Sequence, residues 1–123
     1  MRKALFLAAP LLAACSSPAP KVAPIIDDLT VPTDLAIDTA TSAYQLPVKV
    51  AFHDANDDVV AMHVEIPAIK QNGDLPFPDT ALIQTLTITV PASFKGQTLT
   101  LSVSVKDQTG LFSQAQFRSV KLN

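Results

Sequence analysis

Apolar and polar residues alternate with a period of two through most of the chain from Ile25 to Asn123, the pattern of strands that bury one face and wet the other. In 46–53, Val48, Val50 and Phe52 share one side, and Lys49, Ala51 and His53 share the other. In 59–66 the inward set reads Val60, Met62, Val64 and Ile66, against Ala61, His63 and Glu65. Leu86, Ile88 and Val90 then oppose Thr85, Thr87 and Thr89. The most regular run is 97–107, where Leu99, Leu101, Val103 and Val105 alternate with Thr98, Thr100, Ser102, Ser104 and Lys106. Val, Thr, Ile and Phe fit a pleated, half-buried surface better than a helix, so four strands are predicted.

The flanking segments are less regular. Ala115 and Phe117 start the last run in phase, but Val120 and Leu122 end it in the opposite phase, which predicts a β-bulge near Arg118–Ser119. Residues 27–39 offer one or two short strands broken by Pro32, as suits a sheet edge. Pro47, Pro67 and Pro91 fall near predicted strand ends, and Pro76 and Pro78 lie in a long loop, 67–80. About seven short strands, turns every 8–12 residues and no amphipathic helix predict an all-β antiparallel sandwich over 25–123. Two facing sheets let every strand bury one side and wet the other.

The start of the chain reads differently. Met1–Ala14 has a basic beginning at Arg2 and Lys3 followed by apolar and small residues, and it is too short to span a bilayer. It ends in Leu12-Ala13-Ala14-Cys15, which resembles the lipobox of bacterial lipoproteins. That resemblance implies cleavage between Ala14 and Cys15, a covalent lipid on Cys15, and a mature protein that begins there. Two or three acyl chains anchor stably where one is marginal. In double-membraned bacteria Asp after the Cys retains such proteins on the inner membrane, so Ser16 implies the outer membrane, facing the periplasm or the surface. Residues 16–24, SSPAPKVAP, then read as a semi-extended tether reaching up to about 28 Å. The predicted organisation is signal 1–14, lipidated Cys and tether 15–24, and sandwich 25–123.

Composition narrows the function classes. Loss of Arg2 and Lys3 with the signal leaves seven basic and eleven acidic residues, a net charge of −4, which argues against electrostatic binding of nucleic acid. A single Cys allows no disulfide framework, and three Gly exclude collagen-like and glycine-linker chains.

Two stretches resemble a known class of modules. The late VSVKDQTGLFSQ, with Asp107, Gly110 and Ser113, looks like the strand, Asp-containing turn and final strand that close bacterial immunoglobulin-like and fibronectin-type-III-like domains. The earlier VKVAFHDANDDVVAMHV is similar to their second strand, acidic turn and third strand, a pattern also found in PKD-type repeats. The resemblance implies an immunoglobulin-like β-sandwich. A true antibody-type domain is out: the Cys pair, the core Trp (Met62 stands there) and the tyrosine corner are missing.

Candidate chemistry is sparse. Asp54, Asn56, Asp57 and Asp58 are hard oxygen donors of the kind Ca²⁺ prefers. A helix–loop–helix calcium site fails, because Val59 stands where Gly is needed and Glu65, on a strand, would lie about 23 Å from Asp58. Acidic linkers of cadherin repeats are similar, but lie between domains. What stays open is a weak calcium site joining this turn to Asp27, Asp28 or Asp107, beside a plain solvated turn. His53 and His63 fall on outward faces, too few for a structural zinc site. With Cys15 lipidated and no Ser in a glycine-flanked elbow, nucleophilic catalysis has no apparatus. Thr85, Thr87 and Thr89, and Thr98, Thr100, Ser102 and Ser104, offer flat faces for a protein or glycan of the envelope. Leu75 and Phe77, read as exposed in the 67–80 loop, are the expected partner-binding residues. The expectation is a non-catalytic binding or structural module in the cell envelope without a soluble cofactor. The alternatives are a pilotin-like assembly chaperone for an outer-membrane secretion component and a periplasmic hydrolase inhibitor.

Overall fold

A computed structural model describes residues 21–123; the signal, Ala14, Cys15 and most of the tether lie outside the described residues. Among the described residues eight strands form two sheets. β1 (Ile25–Thr30), β3 (Ala43–His53) and β6 (Ile83–Pro91) make a three-stranded antiparallel sheet in the order β1-β3-β6. β2 (Asp34–Leu35), β8 (Gln116–Leu122), β7 (Thr98–Asp107), β4 (Val59–Ile66) and β5 (Gln71–Pro76) make the second, in the order β2-β8-β7-β4-β5. All its pairings are antiparallel except the short β2–β8 contact, which is parallel. The architecture is the predicted immunoglobulin-like sandwich.

The period-two pattern becomes the core. Tyr44, Leu46, Val48 and Val50 from β3 face Met62, Val64 and Ile66 from β4 and Leu99, Leu101, Val103 and Val105 from β7, all fully buried. β1 adds Ile26 and Leu29, β6 adds Ile88 and Val90, and β8 adds Val120 and Leu122. Gln84 occupies an inward position of β6, and its amide is satisfied locally: Nε2 donates to Asp79 Oδ1 at 2.7 Å and to the Ala81 carbonyl at 2.9 Å. Tyr44 sends its hydroxyl across to the Asn123 carbonyl at 2.7 Å, and Arg118 reaches the Leu29 carbonyl at 3.1 Å, so polar bonds also link the sheets.

Several sequence-based expectations are corrected. The loop 67–80 contains a 3₁₀ turn at Pro67–Ile69 and then β5, paired residue by residue with β4. Leu75 and Phe77 are accordingly half-buried against the core, and Phe77 stacks on Phe52 with centroids 5.5 Å apart. Their apolar surface is used inside the fold. Pro47 lies within β3, yet β1 stops opposite Lys49, so this stretch of β3 has an open edge where a missing N–H is tolerated.

Phase errors have local causes. The β4–β7 register shifts between Val59 and Ala61, so Ala61 turns in and Val60 turns out. The bulge expected near Arg118–Ser119 is absent: β8 pairs with β7 in unbroken register from Gln116 to Lys121, and Phe117 points outward at 65% exposure. The hydroxyl rows lie on different sheets, and Ser104 is buried opposite His63.

These assignments separate by mutation. Leu101→Ala should cost about 2–5 kcal/mol in denaturant unfolding, because it opens a cavity in the closed core. Tyr44→Phe, which removes one cross-sheet hydrogen bond, should cost about 0.5–1.5 kcal/mol. Phe117→Ser should change stability by no more than about 0.5 kcal/mol; a loss near that of Leu101→Ala would mean that Phe117 faces the core after all.

Candidate metal centre

Extending the inward phase of β3 by one step past Phe52 reaches Asp54; extending that of β7 past Val105 reaches Asp107. Both carboxylates therefore sit where a core side chain would, at the rim of the sandwich. Asp54 is 8% exposed and Asp107 1% exposed. Asp58 completes the group from the turn between β3 and β4. Oxygens of all three lie within 4.8 Å of one another.

Backbone bonds hold the two turns in place. Asp54 accepts from the Asp58 amide through Oδ2 at 3.2 Å, and its carbonyl accepts from the Asp57 amide, with Asp57 in a left-handed conformation (φ 52) that Asp tolerates. Asp107 Oδ1 accepts from the Thr109 amide and hydroxyl and from the Leu111 amide, at 2.9, 2.7 and 2.9 Å. Gly110, at φ 92, closes this second turn. The Gln108 amide donates to the Asp58 carbonyl at 2.9 Å and joins the turns.

One oxygen of each carboxylate is left over. Asp54 Oδ1, Asp58 Oδ1 and Asp107 Oδ2 are shut off from solvent and have no hydrogen-bond donor. Among the described residues no Lys, Arg or His forms an ion pair with any of them. The proton affinity of the group responds. Asp58 is pushed up to about 6, first by a hydrogen bond with Asp54 that needs the protonated form, then by burial and the Asp107 and Asp54 charges. For Asp107 burial pushes upward, but the hydrogen bonds from Thr109, Leu111 and Gly110 outweigh it and hold the carboxyl below its usual range.

The other predicted donors go elsewhere. Asn56 accepts from the Val22 amide at 3.2 Å, and Asp57 is exposed at the mouth of an open cleft of about 300 Å³ bordered by Phe52, Asp54, Val59, Thr80 and Leu82. Asp27 pairs with His53 at 2.8 Å, and Asp28 accepts from Thr30. His63 pairs with Asp74 at 2.7 Å; Lys106, with His63, holds Asp74 below its usual range. The sequence links the acidic turn to Asp27, Asp28 or Asp107, and the structure brings it to Asp107. The signal that singles out Asp54 and Asp107 is their place in the inward phase of the strands they end.

The raised pKa of Asp58 sets the sign of a pH effect. A carboxyl whose folded-state pKa exceeds the ordinary 3.8 adds stability below 3.8 and loses it as pH rises through about 6. In buffer with a chelator, Asp58→Asn should melt above the wild type at pH 7.5 and converge with it at pH 4, as read by circular dichroism. The same offset at both pH values would contradict the crowding of charge described above.

No family model and no curated protein matches the chain. Among solved structures it is similar to the PKD domain of an M14-like peptidase from Thermoplasmatales archaeon SCGC AB-540-F20, with a TM-score of 0.62 and 18% identity over 84% of this chain and 98% of that one. At that identity the likeness speaks for the fold, an immunoglobulin-like β-sandwich.

Proposed function

We propose that the protein is a lipid-anchored, non-catalytic β-sandwich module of the bacterial cell envelope, tethered to the outer membrane through Cys15 and presenting its domain to a protein or glycan. The observation that carries this reading is the order of features at the start of the chain: basic residues, a short apolar stretch, Leu12-Ala13-Ala14-Cys15, a Pro/Ser tether, then a β domain whose first strand begins at Ile25. An unpaired Cys in an oxidising compartment is otherwise a liability, and lipidation gives it a use.

The non-catalytic part is supported by the chemistry of the domain. Its interior is filled by apolar side chains, and both histidines are engaged by carboxylates. Ser113 is buried, with its hydroxyl accepting from the Val105 amide and donating to the Gln114 carbonyl, a structural arrangement. The solved structure it resembles is itself named as one domain of a peptidase, which fits an accessory role for this fold. The inhibitor alternative calls for a rigid loop inserted into an active site, and the chaperone alternative for an apolar groove that 67–80 could border. That segment is an edge strand whose apolar residues pack inward, so neither gains a specific observation.

Full-length protein and Cys15→Ala should be expressed in a Gram-negative host, the membranes separated and the intact mass measured. Expected is a lipid-modified chain starting at Cys15 in the outer-membrane fraction, lost in the variant. A soluble, unmodified chain starting near Ser16 would overturn the anchor.

A further inference from the structure

We propose that Asp54, Asp58 and Asp107 form a calcium site that clasps the β3–β4 and β7–β8 turns together at the end of the sandwich where the chain enters. The argument starts from the three leftover oxygens. A buried carboxylate oxygen without a donor is costly, and buried polar atoms are ordinarily paired. Here the three residues that carry such oxygens cluster, two of them more than nine-tenths buried, and among the described residues none of the three forms an ion pair. The remaining oxygens of Asp54 and Asp107 are taken up by amides and a hydroxyl of their own turns, which holds both carboxylates in a fixed orientation.

The dimensions suit calcium. Ca²⁺ takes oxygen ligands at about 2.3–2.6 Å, so ligands on opposite sides of one ion are at most about 5 Å apart. One carboxylate oxygen from each of the three residues lies within 4.8 Å of the other two, so a single centre reaches all three side chains. Three monodentate carboxylates leave about three to five positions for water, and Asp54 also borders the open cleft of about 300 Å³. Irregular turns that supply partial, adaptable coordination favour Ca²⁺ over Mg²⁺, which demands near-octahedral geometry and gives up water reluctantly.

The position gives the ion a task. Ile25 pairs with His53, next to Asp54, and the Val22 amide bonds Asn56 in the same turn. An ion here would stiffen the end of the domain on which the incoming chain rests. The site stands apart from the anchoring reading and holds whether or not Cys15 is lipidated.

Purified full chain, stripped with EDTA and returned to metal-free buffer at pH 7.5, should be titrated with CaCl₂ by calorimetry and melted with and without 10 mM CaCl₂. Expected are one bound ion per chain, a dissociation constant at or below about 1 mM, and a rise in Tm of about 5–15 °C. Asp58→Asn and Asp107→Asn should each weaken binding at least about tenfold; Asp107→Asn keeps an acceptor oxygen for its turn, and Asp58→Asn should melt in EDTA no lower than the wild type. Three results would overturn the site: no heat and no Tm change at 10 mM Ca²⁺, an undiminished response in both variants, or an equal response to Mg²⁺. The first would leave a shared proton as the occupant of the cluster.

Discussion

The apolar face of a three-stranded sheet cannot be left in water, and here it is covered chiefly by the apolar face of the five-stranded sheet. Tyr44, Leu46, Val48 and Val50 on one side and Leu99, Leu101, Val103 and Val105 on the other are each fully buried, and neither layer holds its shape without the other. The remaining elements follow from this contact. Strand ends, turns and the few polar bonds across the layers are placed by the need to keep the two inner faces in register.

The same constraint explains why acidic residues end up inside. A strand leaving the core continues its alternation, so the next inward position lies at the rim, still shielded by the opposite sheet. Asp54 and Asp107 take those positions at the ends of neighbouring layers, one from each sheet. Their turns are well satisfied by amides, which means that the charge, and not the backbone, is the unresolved quantity there. It is offset by a proton on Asp58 or by a cation.

Where the layers meet face to face, the sequence is readable: β3, β6 and β7 carry the clearest alternation, and every apolar residue read inward on them is buried, with Leu86 half-buried at the margin, although Ser104, read outward, is buried as well. Legibility fails where something other than burial fixes the residue. β5 is held by its backbone ladder to β4, and its Gln, Asn, Gly and Asp give no apolar signal. Val60 reads as inward from sequence because the register shift near Ala61 leaves no mark in the residue types. Phe117 misled because a large aromatic at an exposed position looks like a core residue, although β8 pairs without interruption. At the candidate site, residue type pointed to the whole acidic turn, whereas only the fold could separate Asp54 and Asp58, which meet Asp107, from Asn56 and Asp57, which do not.

Ile25 and Asn123 lie at opposite poles of the described domain. Ile25 sits beside the end of β3, while Asn123 is bonded by Tyr44 near the start of the same strand. Tension drawn between those two points runs along the strands, so the β1–β3 ladder is loaded in shear, with its hydrogen bonds strained together and not unzipped singly. Ile26 and Leu29, buried beneath β1, must leave the core before that strand can slide. Between those two points the described domain is therefore stiffest along its strands.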